Sequence, residues 1–140
     1  MIIPFGIEYA FYPGSDPVVN AKVLKASMLY LIAIDQIYLQ DNPGIPELYQ
    51  AGVVYGRTEV WDSIPDVIAR SYGDCKSLTA WLIAERREQG LQCEPVFRFR
   101  ELPNGQLQYH ILVQTPDGFE DPSKFLGMGS NENAPVVGRG

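Results

Sequence analysis

One segment, residues 74–90 with the largely apolar run 78–84 at its centre, constrains the fold of this chain more than any other. It starts with Asp74, a residue type that commonly caps helix N-termini, and it ends at Gly90, the residue type expected at a helix C-cap. Three of its side chains fall on one face at helical spacing: Cys75, Leu78 and Leu82. The sequence therefore predicts a central helix that packs on another layer and carries Cys75 in its first turn.

Two further helices are predicted upstream of this segment. The first covers residues 15–40, where Asp16 can cap the helix and Pro17 suits its first turn. The second is a two-turn helix at residues 64–70 with Ser63 as its cap. The apolar stripe of the first helix is expected to contain Val19, Val23, Ala26 or Ser27, Tyr30, Ile34, Ile37 and Tyr38.

Downstream of the central helix the pattern changes to strands. Residues 93–100 and 106–114 are predicted strands, joined by a turn that contains Asn-Gly, and residues 119–121 form a third, short strand. Residues 52–61 are interpreted as a short strand or an extended connector. Because helices and strands are segregated along the chain, the fold class is α+β, with the central helix packed on a small antiparallel sheet.

The length of 140 residues is that of one domain. Residues 1–16 are predicted to be an extended N-terminal arm, residues 17–127 the folded domain, and residues 128–140 a flexible Gly-rich tail. The arm has apolar side chains at period two, namely Ile3, Phe5, Ile7, Tyr9 and Phe11.

Charge and composition exclude several classes of partner and site. The net charge of -6 and pI near 4.7 argue against nucleic acid or an anionic membrane as the partner. Neither a secretory signal nor an apolar run of membrane-spanning length is visible. With one histidine and two cysteines, we expect no metal site and no cofactor. Cys75 and Cys93 could form a disulfide, but free thiols are the favoured interpretation.

Cys75 itself has two interpretations: a small side chain buried at the start of the helix, or a nucleophile activated by the helix N-terminus. The charge of Asp74 would partly oppose that activation. A nucleophilic thiol needs a base, and the chain's one histidine, His110, lies in the predicted strand at residues 106–114. Since a single strand histidine is by default structural, the choice depends on a third group.

That third group is Asp121, which follows the turn at residues 115–118. If the loop consists of Pro116 and Asp117, Asp121 lies one diagonal step from His110 on the same face, whereas a bulge at Gly118 would change this parity. The three residues would then form a Cys-His-Asp triad. In such a triad the histidine activates the thiol and later protonates the leaving group, while the aspartate fixes the tautomer.

The start of the central helix would supply the rest of such a site. Backbone N–H groups there, Cys75 among them, would stabilise an oxyanion. Gly73 would let the backbone turn sharply into the helix and come close to a substrate.

Three short motifs carry a resemblance to a known family. Gly73-Asp74-Cys75 at the head of an apolar helix, Tyr109-His110 in a strand and Glu120-Asp121-Pro122 after a turn resemble the transglutaminase-like superfamily of papain-related folds. Within it, the segments between residues 47 and 129 are most similar to small transglutaminase-like proteins of tailed phages.

The resemblance implies a papain/transglutaminase-like fold and a triad of Cys75, His110 and Asp121, with Gly73 and Asp74 as supporting residues. It further implies that the protein is located in the host cytoplasm or in the phage virion. Some relatives use an aromatic residue beside the oxyanion, for which Trp61 is the candidate here. A core position is the favoured interpretation of Trp61.

Two functions remain open at this point. The first is a cysteine-dependent acyl-transfer enzyme that acts through a thioester on a protein or peptide substrate, as an amide or peptide hydrolase or a transglutaminase. The second is a structural or interaction module that binds phage structural proteins and has little or no activity. The apolar arm and the Gly-rich tail favour the second function, because both could dock on a neighbouring protein.

Overall fold

The computed structural model describes residues 16–105 and 107–129, so residues 1–15 of the predicted arm and residues 130–140 of the predicted tail lie outside this part of the chain. The described chain is α+β, as the sequence predicts. Its elements in chain order are α1 (Pro17–Asp41), a 3₁₀ turn (Leu48–Gln50), β1 (Val54–Tyr55), α2 (Ile64–Arg70), β2 (Tyr72–Gly73), α3 (Cys75–Glu88), β3 (Glu94–Glu101), β4 (Leu107–Thr115), β5 (Gly118–Glu120) and α4 (Pro122–Phe125).

Helix α3 is the predicted central helix, and Cys75 is its first residue. Asp74 is its N-cap and accepts hydrogen bonds from the backbone N–H groups of Lys76 and Ser77. Every residue of the segment 77–85 is buried, with Trp81 fully enclosed. Because so long a segment loses contact with water, α3 is the centre of the hydrophobic core.

Helix α1 also forms as predicted, and the Asp16 carboxylate accepts a hydrogen bond from Val18 N–H at its start. The predicted apolar stripe is only partly correct, however, because Tyr38 packs against the core but Val19, Tyr30 and Ile37 are 45%, 41% and 65% exposed. The buried face contains Met28, Leu31, Ile32 and Asp35 instead. Apolar side chains occur on several sides of α1, so helical spacing alone does not identify the face that packs.

Helix α2 lies where the sequence predicts it, but its N-terminus is stabilised differently. The Ser63 side chain makes no capping hydrogen bond and instead contacts Asp66, with 3.3 Å between the hydroxyl and Oδ2. The backbone N–H of Ile64 donates to Oδ1 of Asp35 on α1, at 2.9 Å. A buried carboxyl group on one helix therefore stabilises the start of the next helix.

Strands β3, β4 and β5 form an antiparallel sheet in the order β3-β4-β5. Thr115 pairs with Gly118, so the turn between β4 and β5 has the expected two-residue loop without a bulge. Continuing the register from Val113 opposite Glu120 by one pair would place Leu112 opposite Asp121. His110 then lies one diagonal step from Asp121, as the sequence analysis predicts.

Three small elements were not predicted from the sequence: β2, the 3₁₀ turn and α4. Strand β2 pairs in parallel with β1, and the resulting two-stranded sheet leads directly into α3. Helix α4 follows β5 without a loop and uses Asp121 as its N-cap. Met128, one residue beyond the predicted domain boundary, is buried, and its N–H donates to Ser123 O.

No helix in the described residues is both long enough and apolar enough to cross a bilayer.

Candidate active site

Cys75 is half-buried at the start of α3, and its side chain packs against the edge of the core. Two N–H groups of the first turn, those of Lys76 and Ser77, donate to Oδ1 of Asp74, and Leu78 N–H donates to Asp74 O. In the part of the chain that the structure describes, the Cys75 N–H has no such acceptor. It is therefore a donor that could bind an oxyanion next to the thiol.

The charge of Asp74 beside Cys75 is balanced by Lys76. The Lys76 ammonium forms an ion pair with Oδ2 of Asp74 and donates to Thr58 O at 3.2 Å. It also lies 5.8 Å from the centre of the Trp61 ring. Burial raises the pKa of Asp74, and Lys76 opposes this rise. Because Lys76 compensates the carboxylate, the positive end of the helix dipole stays available to the thiol.

His110 is buried on β4 and is paired with Asp121. The two side chains meet at 2.8 Å, between Nε2 of His110 and Oδ2 of Asp121. Burial raises the pKa of Asp121, but the His110 contact outweighs it and holds the pKa below its ordinary value. Asp121 is therefore an ionised acceptor, and His110 Nε2–H donates the hydrogen bond.

The second ring nitrogen of His110, Nδ1, is the one that remains available to the thiol. Nδ1 is buried and has no well-formed hydrogen bond among the described residues. Burial lowers the pKa of His110, but hydrogen bonds with Asp121 and Cys75 outweigh this effect and raise the pKa to about 9. Cys75 thus lies within interaction range of the imidazole, and since Nε2 is occupied by Asp121, Nδ1 is the nitrogen that can exchange a proton with the thiol.

Asp121 is held in place by the helix that it caps. Its Oδ1 accepts a hydrogen bond from Lys124 N–H at 3.3 Å, while Oδ2 accepts from His110. The carboxylate uses both oxygens and has a fixed orientation. An aspartate held in this way can select the His110 tautomer and stabilise the imidazolium form.

Thr79 connects the helix that carries Cys75 to the strand that carries His110. Its hydroxyl donates to Ile111 O at 3.0 Å, and the side chain is fully buried. Thr79 lies one helical turn after Cys75, and Ile111 directly follows His110. The hydrogen bond therefore ties the turn of α3 that follows Cys75 to the strand segment beside His110.

Gly73 and Trp61 were both expected from the sequence to support the site. Gly73 lies at the end of β2, directly before the Asp74 N-cap, and does not take a left-handed conformation; the left-handed residue of this segment is Ser71, with φ 69°. A Cβ on Gly73 would approach Leu78, Ser77 and Val67 to 3.4 Å, close to ordinary contact. Trp61 is partly buried and packs against the core, as the favoured interpretation has it, and its ring also faces Lys76.

Both cysteines are free thiols, and Cys93 is buried with its sulfur 3.7 Å from Ile83 O. Within residues 16–105 and 107–129, no cluster of three or more His, Cys, Asp or Glu side chains could hold a metal ion.

Sequence reasoning missed Thr79 and Lys76. Thr79 had a detectable signal, because a hydroxyl one turn after Cys75 in an otherwise apolar helix must find a partner when it is buried. Lys76 had none, since a lysine in a first helical turn is ordinary.

No family model, no curated protein and no solved structure matches this chain at a significant level.

Proposed function

We propose that this protein is a cysteine-dependent acyl-transfer enzyme with a papain/transglutaminase-like fold, in which Cys75 is the nucleophile, His110 the general acid–base and Asp121 the residue that orients the base. The observation that carries the proposal is the 2.8 Å contact between His110 and Asp121 together with the interaction of the same imidazole with Cys75. A histidine bonded on one side to a carboxylate and facing a thiol at a helix N-terminus has the geometry that acyl transfer requires.

The reaction has two halves. In the first, the Cys75 thiolate attacks the carbonyl carbon of an amide, the C–S bond forms, and the Cys75 N–H binds the oxyanion. His110 gives a proton to the leaving nitrogen, the C–N bond breaks, and a thioester remains. In the second half, His110 takes a proton from water or an amine as it attacks the thioester, the C–S bond breaks, and Cys75 leaves as the thiolate beside protonated His110. Water gives hydrolysis, and an amine gives transamidation of a protein or peptide substrate.

The proposal is tested by measuring alkylation of Cys75 with a chloromethyl ketone across a pH series, by intact-mass spectrometry. The reference is the same chain unfolded in urea, in which both thiols react as free cysteines. We expect Cys75 to react faster in the folded protein than in the unfolded chain below pH ~8.5, the range in which free thiols are mostly protonated. His110→Ala should remove this advantage. Equal rates in the two states, unaffected by His110→Ala, would contradict the enzyme proposal.

A second candidate function is that of an interaction module in a phage particle or its assembly. It is favoured by the exposed apolar face of α1, where Val19, Tyr30 and Ile37 point to solvent. Exposed apolar faces of this kind often mark protein–protein contacts. The alkylation experiment separates the two functions, since a pure interaction module has no need of a reactive thiol.

A further inference from the structure

The side chain of the residue that precedes Asp121 anchors this part of the backbone to the rest of the protein. Glu120, the last residue of β5, accepts two hydrogen bonds on Oε2: one from the Tyr49 hydroxyl at 2.9 Å and one from Arg86 at 3.0 Å. Burial and the neighbouring Glu120 raise the pKa of Tyr49, so the hydroxyl stays protonated and donates. The backbone that leads into Asp121 is therefore fixed by side chains of the 3₁₀ turn and α3.

The same tyrosine contacts the far side of the Asp121 segment. The Tyr49 ring lies 4.1 Å from the Phe125 ring, centre to centre, at an angle of 34°. Phe125 is the last residue of α4, the helix that Asp121 caps. Tyr49 thus contacts the residue before Asp121 and the end of the helix after it. A helix of four residues needs such external contacts, because it is too short to be stable alone.

Tyr49 is itself anchored to the core. Its neighbour Leu48 is fully buried, and the Leu48 N–H donates to the buried Glu85 carboxylate at 2.7 Å. Glu85 and Arg86 both belong to α3, whose first residue is Cys75. The helix that positions the thiol therefore also positions Tyr49 and, through it, Asp121.

We propose that Tyr49 is a positioning residue that holds Asp121 within hydrogen-bonding distance of His110 by contacting Glu120 and Phe125 on either side of it. The inference rests on the proposed function for its catalytic meaning, although the contacts stand independently. Glu120 contributes by anchoring the backbone and not by its charge on His110. Its charge is compensated by Arg86. The groups that raise the pKa of His110 are Asp121 and Cys75.

The test uses the titration of His110, which NMR can follow without ambiguity because the chain has one histidine. Tyr49→Phe removes the hydrogen bond to Glu120 and keeps the ring contact with Phe125. We expect this variant to lower the pKa of His110 by about 1, towards the value in Asp121→Asn. Tyr38→Phe is the matched control: Tyr38 is also partly buried against the core, and its hydroxyl has no hydrogen-bond partner among the described residues. The control should titrate like wild type.

A conservative pair of variants separates positioning from general stability. Glu120→Gln keeps an oxygen that can accept from Tyr49 and should preserve the His110 titration, whereas Glu120→Ala should lower the pKa as Tyr49→Phe does. A structural role alone would reduce the urea midpoint of Tyr49→Phe and leave the titration unchanged, and that result would overturn the proposal. If Tyr49→Phe does not fold, the Glu120 pair decides in the same way.

The His110 titration tests the role of Tyr49 whether or not the protein is an enzyme. Should Cys75 prove no more reactive than a free thiol, the proposed function fails, yet the His110 titration of Tyr49→Phe still reports whether Tyr49 holds Asp121. Conversely, a reactive Cys75 with an unchanged titration in both Tyr49→Phe and Glu120→Ala would leave the enzyme intact and remove the positioning role.

Discussion

The imidazole of His110 and the carboxylate of Asp121 form a hydrogen-bonded pair, with 2.8 Å between Nε2 and Oδ2. The pair joins β4 to the start of α4, two elements that are separated by a two-residue turn and a short strand. The contact affects both groups: against the lowering effect of burial, Asp121 and Cys75 together raise the pKa of His110 to about 9, and His110 holds the pKa of Asp121 below its ordinary value.

The first prediction concerns the pH dependence of stability. The pair stabilises the folded state most strongly when His110 is protonated and Asp121 is ionised. Since the folded-state pKa of His110 lies above its unfolded value of 6.5, this stabilisation is complete below pH 6.5 and is lost as the pH rises through about 9. At the acid end it is lost as the pH falls through the lowered pKa of Asp121. Urea denaturation should show Asp121→Asn less stable than wild type at pH 6, with the difference shrinking towards pH 9.

The control for this prediction is Asp117→Asn, an exposed aspartate in the adjacent turn. Its stability difference from wild type should stay constant over the same pH range. A constant difference for Asp121→Asn as well would mean that the His110–Asp121 contact carries no ionic stabilisation.

The second prediction is that Cys93 is the unreactive thiol. It is buried, its sulfur contacts Ile83 O, and burial raises its pKa. A buried thiol is protonated and inaccessible to reagent, so we expect Cys75→Ser to abolish alkylation of the folded protein at neutral pH. Cys93→Ser should keep the wild-type rate. Peptide mapping after brief labelling identifies the modified residue, and a label on Cys93 before Cys75 would reverse the assignment.

Much of this arrangement could be predicted from the sequence because the elements concerned have strong local signals. The Asp74 cap, the apolar run after it and Gly90 define α3, and the turn at residues 115–118 fixes the register that brings Asp121 to His110. Both depend on short-range rules of capping and hairpin geometry. Whether Cys75 reaches His110 depends on how α3 packs on the sheet, which no local pattern determines.

The features that the sequence did not reveal depend on tertiary contacts. Strand β2 has two residues and forms because it pairs with β1, which no local pattern indicates. The buried face of α1 was mispredicted because its solvent side is also apolar, as Ile37 illustrates. Tyr49 and Glu120 are 71 residues apart, so their hydrogen bond has no signature in a single sequence.

The third prediction concerns Asp35, whose side chain is fully buried between α1 and α2. Its Oδ1 accepts from Ile64 N–H, while Oδ2 has no partner among the described residues. Burial raises the pKa of Asp35 to about 8, so the folded state binds its proton more tightly than the unfolded state does. The contribution of this group to stability therefore falls as the pH rises from about 4 to 8.

Asp35→Asn should remove this pH dependence while keeping an acceptor for Ile64 N–H. We expect its free energy of unfolding to approach that of wild type at pH 4 and to exceed it increasingly up to pH 8, as measured by urea denaturation at several pH values. Asp41→Asn, an exposed position on the same helix, serves as the control and should show no such trend. A wild type as stable at pH 8 as Asp35→Asn would mean that water or a rearrangement solvates the carboxylate.

The last prediction tests whether the hydrogen bond from Thr79 to Ile111 O sets the distance between Cys75 and His110. Thr79→Val keeps the shape of the side chain and leaves a buried carbonyl without its donor, which costs about 1–3 kcal/mol. Because the bond joins the first turns of α3 to the strand residue next to His110, its loss should also slow Cys75 alkylation at pH 7 severalfold. Thr79→Ser keeps the hydroxyl and loses a methyl group, so it should lose stability but retain the alkylation rate. If both variants lose stability equally and both alkylate at the wild-type rate, the hydrogen bond stabilises the core without adjusting the thiol–imidazole contact.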